Sequence, residues 1–242
     1  MRYQLDNIPV WDAYKAGGEC PLCALRAQNE QMYVESFLGA SVMEPSTRVE
    51  VNAKGFCGPH LRMMFAEKNR LGLALIAHTH YKDVLGTVTA QLEAGKSGGR
   101  KGLFGGKSDA GPAAAVRARL ETCVLCERLD YTLHRYAYTL VHLWAHDADF
   151  RKTFAASQGL CLPDMAMVMD MADELLSGKQ RQEFYAALAA VQGACLAQME
   201  KDLEWFTLKF DYRNQDKPWG NSRDAVERTI YRLRGRQRDM RT

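Results

Sequence analysis

The chain has 242 residues, 47% of them apolar and 25% charged, the balance of a soluble globular protein rather than a disordered or fibrous one. That length fits one large domain or two of just over a hundred residues. The net charge of +3 is unevenly spread. Residues 96–119 and 228–242 each hold six Lys or Arg against one Asp, which leaves the remaining body at about −7 and places the positive charge in a linker and a tail, not on a folded face.

The start, Met1-Arg2-Tyr3-Gln4-Leu5-Asp6, lacks the charged and apolar regions of a secretory signal, and no apolar run is long enough to span a membrane. The expectation is a cytoplasmic protein with no membrane partner. In that compartment thiols stay reduced, so seven cysteines, six of them in short-spaced motifs, point to metal or redox chemistry rather than disulfides.

The first motif is Cys20-Pro21-Leu22-Cys23, followed after thirty-three residues by Cys57 in Gly55-Phe56-Cys57-Gly58-Pro59-His60. A Gly-rich stretch, Gly95 to Pro112, has too few large apolar residues to hold a packed element and reads as a flexible linker over 96–112. Beyond it the pattern returns as Cys123-Val124-Leu125-Cys126 and, after thirty-four residues, Cys161 in Gly159-Leu160-Cys161-Leu162-Pro163-Asp164. The two copies are offset by 103 residues at the first Cys and 104 at the third, which suggests an internal duplication. The expected units are residues 1–95 and 113–242, the second ending in a basic helix; whether they share one core stays open.

Periodicity is helical throughout. Leu71, Ala74, His78, Tyr81, Leu85, Val88 and Leu92 form one long stripe, and Phe184, Leu188, Val191, Cys195, Met199, Phe206 and Phe210 a second. The segments after each CxxC also run without Pro or Gly, and no alternating strand pattern appears, so the fold class is all-α. Pro21, Pro59 and Pro163 suit the first turn of a helix, while Gly55 and Gly159 suit the ends of preceding short helices.

A CxxC turn brings two sulfurs within reach of one tetrahedral ion, and a second short-spaced pair completes the shell. Pairing by position in the chain groups Cys20, Cys23, Cys57 and His60 into one zinc site, and Cys123, Cys126, Cys161 and Asp164 into a second, in which Asp164 supplies a rarer oxygen ligand, water fills that corner, or the residues form only a packed thiol cluster. Helix starts favour these anionic ligands through their free N–H groups and dipole. His142 and His146 have i, i+4 spacing but no HExxH glutamate; they, His78, His80 and His134 read as surface or packing residues, and Cys195 as a buried hydrophobe.

The CPLC and GFCGPHL segments, the second CxxC and GxC, and Lys209-Phe210-Asp211-Tyr212-Arg213 before a final helix resemble an uncharacterised bacterial family of cysteine-rich, mainly helical proteins classed as a domain of unknown function. Members are sometimes labelled as substrate-binding components of ABC transporters, a label that suits neither this start nor the lack of a lipid-attachment Cys. The resemblance implies no established activity.

The leading functional reading is a zinc-held helical scaffold that binds a protein or small ligand, since nothing in the motifs requires turnover. The alternatives are a thiol redox or metal-sensing switch on the CxxC pairs, an iron–sulfur protein, and a nucleic-acid binder using Arg228, Arg232, Arg234, Arg236, Arg238 and Arg241. Catalytic zinc at the Asp164 corner is a minor branch, lacking a general base. No P-loop, Rossmann pattern or nucleophile elbow is present.

Overall fold

The computed structural model describes residues 5–96 and 111–235. Among these there are eleven α-helices, three short 3-10 turns and no strand, so the protein is all-α. The predicted linker lies almost wholly outside the described residues, as do Arg236, Arg238 and Arg241 of the basic tail. No described helix is long and apolar enough to cross a membrane.

The helices are α1 (Asn7–Ala16), α2 (Pro21–Leu38), α3 (Pro45–Lys54), α4 (Gly58–Ala66), α5 (Arg70–Lys96), α6 (Pro112–Ala118), α7 (Val124–His146), α8 (Ala148–Ala155), α9 (Leu162–Leu175), α10 (Gly178–Leu208) and α11 (Ala225–Arg234). They fall into two compact units, one of residues 29–130 and the other of residues 1–28 with 131–242. These units cut across the ranges 1–95 and 113–242 read from the sequence, because the division falls inside α2 and α7 and not in the Gly-rich segment.

The unit of residues 29–130 is built on Val34, Phe37, Leu38, Val42, Val51, Met64 and Ile76, with Val124 and Leu125 closing the same core. The second unit has an aromatic centre. Phe150 meets Trp11 and Tyr14 edge-on at 5.1 Å each, and Phe184 meets Trp144 edge-on at 5.0 Å. Each such pair adds about 0.5–1.5 kcal/mol beyond its burial. Asp147 caps α8, its carboxylate accepting from the backbone N–H groups of Asp149 and Phe150.

Both stripes lie on helices, but they behave differently. On α10, Phe184, Leu188, Val191 and Met199 are buried, whereas Phe210, just beyond its end, is exposed. On α5, Leu71, Tyr81, Leu85 and Leu92 are more than half exposed. Cys195, expected as a buried hydrophobe, is only half-buried although it lies on the same stripe as the buried Val191 and Met199.

Two of the tail arginines turn inward. Arg232 is buried and pairs with Glu19 at 2.5 Å; Arg228 pairs with Asp202 at 3.0 Å and Asp224 at 2.9 Å. Their charge is used within the fold, which removes them from the set of free phosphate contacts. Lys209 is likewise buried, its Nζ donating to the carbonyls of Asn214, Gln215 and Lys217 at 2.6–2.7 Å.

Candidate metal centres

Every one of the eight sequence-selected ligands occupies one of two helical positions. Cys20, Cys57, Cys123 and Cys161 immediately precede α2, α4, α7 and α9. Their carbonyls accept the first helical bonds, from Ala24, Leu61, Glu127 and Met165 at 2.8–3.1 Å. Cys23, His60, Cys126 and Asp164 follow three residues later, on the same side of the first turn. That is the spacing of a capping box, although Cys57 and Cys161 make no side-chain cap bond at α4 and α9. At α7 sulfur does take the place of the capping oxygen: the Cys126 N–H donates to Cys123 Sγ at 3.5 Å.

The backbone before α4 and α9 is prepared in the same way. Cys57 and Cys161 share φ near −70° and ψ near 160° (−70°, 162° and −67°, 158°), each with Pro two residues on. Gly55 and Gly159 precede them in the left-handed region, at φ 66° and 76°. A Cβ at Gly55 would lie 2.5 Å from the His80 ring, and one at Gly159 2.7 Å from Gln192 Oε1. Glycine is required at both places for conformation and for space. His80 receives this role and not that of a ligand: its Nδ1 donates to the Asn52 carbonyl at 3.1 Å. Gln192 holds Leu160 by both its N–H and its carbonyl, at 3.0 and 2.8 Å. Gly55 ends α3, as expected from the sequence, but α8 stops at Ala155, so Gly159 belongs to the loop after it.

The structure corrects the grouping. Cys57 and His60 meet Cys123 and Cys126, while Cys20 and Cys23 meet Cys161 and Asp164; within each quartet the ligand atoms lie within 4.8 Å of one another. Each CxxC is therefore completed by the later pair of the other motif copy. Helix length is the physical reason. The 18 residues of α2, about 27 Å of helix, stand in the chain between the first CxxC and the later pair of its own copy. The 23 residues of α7, about 34 Å, stand likewise in the second copy.

In the His-containing site, Cys57 Sγ lies 3.7 Å from Cys126 Sγ, and His60 Nδ1 lies 3.2 Å from Cys57 Sγ, 3.2 Å from Cys123 Sγ and 3.6 Å from Cys126 Sγ. A tetrahedral zinc with bonds of about 2.3 Å to sulfur and 2.0–2.1 Å to nitrogen requires edges of about 3.8 and 3.5 Å. The donor set fits, with the nitrogen edges slightly short. His60 is fully buried, and its Nε2 faces Glu30 Oε1 at 3.0 Å. Against a carboxylate this nitrogen carries the proton, leaving the Nδ1 lone pair for the centre, the arrangement that orients metal-bound imidazoles. Without a metal, burial opposes ionisation of Cys123, but an imidazolium form of His60 that donates from Nδ1 as well, together with backbone N–H groups, outweighs it and brings the thiol down to about 6.

The Asp-containing site is drier. Cys20, Cys23, Cys161 and Asp164 are each at most 2% exposed. Cys161 Sγ lies 3.9 Å from Cys20 Sγ and 3.5 Å from Cys23 Sγ, and Asp164 Oδ2 sits 3.2 and 3.3 Å from Cys20 and Cys23. The other oxygen, Oδ1, faces Arg26 at 3.7 Å. These edges also suit a tetrahedral ion, with Oδ2 in the oxygen corner.

As free side chains Cys20, Cys161 and Asp164 of this quartet resist ionisation. Burial, then hydrogen bonding to Cys161, pushes Cys20 well up. The hydrogen bond with Cys20 pulls Cys161 down, but that with Cys23, burial and the Asp164 charge win and raise it. Burial and the Cys23 charge lift Asp164 to about 6. Burial and Cys23 also raise Tyr231, whose hydroxyl hydrogen-bonds Cys23. A divalent cation would reverse this balance.

Nothing in the sequence marked Glu30, Arg26 or Tyr231 as neighbours of these centres, since they have no motif spacing. His142 and His146 stack at 4.3 Å without joining a ligand cluster among the described residues, and His146 Nδ1 is spent on the His142 carbonyl.

Fold and sites together define a class: an all-α protein with two clusters of Cys, His and Asp that can each hold a metal ion. The chain belongs to the family of unknown function DUF6062, which it matches over residues 1–240. No curated protein and no solved structure matches it.

Proposed function

We propose that the protein binds two zinc ions, one in each quartet, and that both are structural, making the chain a helical scaffold for a protein or small-ligand partner. The observation that carries this reading is closure. Each quartet supplies four protein donors at near-tetrahedral edges, with no corner left for water or substrate, as in structural and not catalytic zinc sites. Each ion would tie two helix starts distant in sequence, where the helix dipoles favour thiolate ligands. The thiol-rich sets favour zinc over magnesium or calcium, which take oxygen donors.

Elemental analysis of protein purified anaerobically without added metal tests the reading. Two zinc per chain and a colourless solution are expected. Iron with visible absorbance would replace zinc by a cluster, and a well-folded protein with no bound metal would remove the scaffold reading altogether.

A further inference from the structure

Beside the His-containing centre, within the unit of residues 29–130, lies a half-enclosed cavity of about 740 Å³. Its walls are mainly apolar, including Phe56, Leu61, Leu73, Val84 and Val116, and Cys57 forms part of the lining. The volume is that of a small-molecule site. Arg119 in the lining donates from its two terminal nitrogens to the carbonyls of Asn52 and Ala53 and to Asp83, which balances its charge, while its buried Nε has no hydrogen-bond partner. His78, His80 and Tyr81 add hydrogen-bonding groups at the wall.

Cys57 and Cys126 are the two partly exposed cysteines of the metal centres, with sulfurs 3.7 Å apart, whereas Cys20, Cys23 and Cys161 are at most 2% exposed. We propose that the cavity admits an apolar organic hydroperoxide and that Cys57 and Cys126 reduce it. The Cys57 sulfur attacks the outer peroxide oxygen; the O–O bond breaks, the alkoxide takes a proton and leaves as the alcohol, and Cys57 becomes a sulfenic acid. Cys126 then displaces hydroxide from that sulfur, which leaves as water after protonation, and a Cys57–Cys126 disulfide forms. Two electrons pass from the two sulfurs to one peroxide. The centre loses two of its four ligands, so the ion is released. The release step rests on the zinc reading; the sulfur chemistry does not.

The test exposes the full chain to cumene hydroperoxide and, separately, to hydrogen peroxide at equal concentration, reading zinc release with a chromogenic chelator and disulfides by peptide mass spectrometry. Expected are one zinc released per chain, a Cys57–Cys126 disulfide with the other centre intact, and at least tenfold faster reaction with the organic peroxide. Ala77→Trp, at an exposed position lining the cavity, should abolish that preference, bringing the two peroxide rates within twofold of one another; Ala74→Trp serves if Ala77→Trp misfolds. Equal rates for the two peroxides, or a preference that survives filling, overturns the proposal. So does a dimer in sedimentation that Ala77→Trp dissociates, which would assign the cavity to a second copy. If the chain proves free of zinc, the zinc reading fails separately, and the rate of disulfide formation still decides the proposal by the same comparison.

Discussion

The two quartets use one backbone device and arrive at opposite chemistry. Both place ligands at the cap and third positions of two helix starts, so the N-terminal dipoles contribute alike. The difference lies in the fourth ligand and in water. Around His60, an imidazole backed by Glu30 and two partly exposed thiols gives a centre whose Cys123 ionises near pH 6. Around Asp164, a carboxylate replaces the imidazole, everything is buried, and burial and neighbouring groups raise Cys20 and Cys161. A helix start is therefore not enough to activate a cysteine; desolvation overrides it unless a hydrogen-bond donor or a cation compensates.

The largest effects should come from removing one sulfur on each side. Cys23→Ser and Cys57→Ser should each reduce bound zinc from two to one, with a loss of several kcal/mol in chemical denaturation, on the order of that for breaking a buried charge-bearing site. The buried centre should suffer more. Equal losses, or unchanged metal content, would erase the contrast.

Glu30→Gln comes next. It keeps a hydrogen-bonding group opposite His60 Nε2 but removes the charge, and should weaken zinc binding at that centre alone by about 10–100-fold in a chelator competition.

Asp164→Asn should act with opposite signs in the two metal states. In the metal-free chain the buried carboxylate has its pKa raised from 3.8 to about 6, so the folded state holds the proton more tightly than the unfolded state. Its ionised form therefore destabilises the fold above pH 6, and the penalty disappears as pH falls from 6 to 4. The substitution should stabilise the metal-free protein at pH 7 by on the order of 2 kcal/mol, remove that pH dependence, and weaken zinc retention at the same site. Urea denaturation at pH 5 and pH 7 with and without chelator measures all three. A variant destabilised in both metal states would contradict this electrostatic account.

The smallest effect belongs to the glycines. Gly159→Ala should cost about 1–2 kcal/mol in thermal or chemical unfolding, from the left-handed backbone and displacement of Gln192. Gly55→Ala should cost a similar amount, because the obstacle there is the His80 ring, held by the Asn52 carbonyl as Gln192 is held by Leu160.

Much of this was readable from local chemistry. Helical periodicity and absent strand patterns determined the all-α class, prolines marked the starts of α2, α4 and α9, and the short Cys, His and Asp spacings identified all eight donors that cluster. Such features depend on residues within one or two helical turns. The burial of a stripe is different: the patterns on α5 and α10 look alike, yet α10 packs its apolar residues while several on α5 stay exposed. Periodicity orients side chains about a helix but does not say what lies opposite.

The same boundary separates the ligands from their grouping. The sequence by itself determined which residues stand at helix starts with metal-binding donors, because cap positions and i, i+3 spacing are local. Only the tertiary structure decided that Cys20 and Cys23 join Cys161 and Asp164, while Cys123 and Cys126 join Cys57 and His60. Two rigid helices of 18 and 23 residues carry the chain away from each CxxC before the next ligand pair arises, so closeness in sequence loses its meaning. Glu30 and Tyr231 enter for the same reason, as neighbours brought by packing and unmarked by any motif.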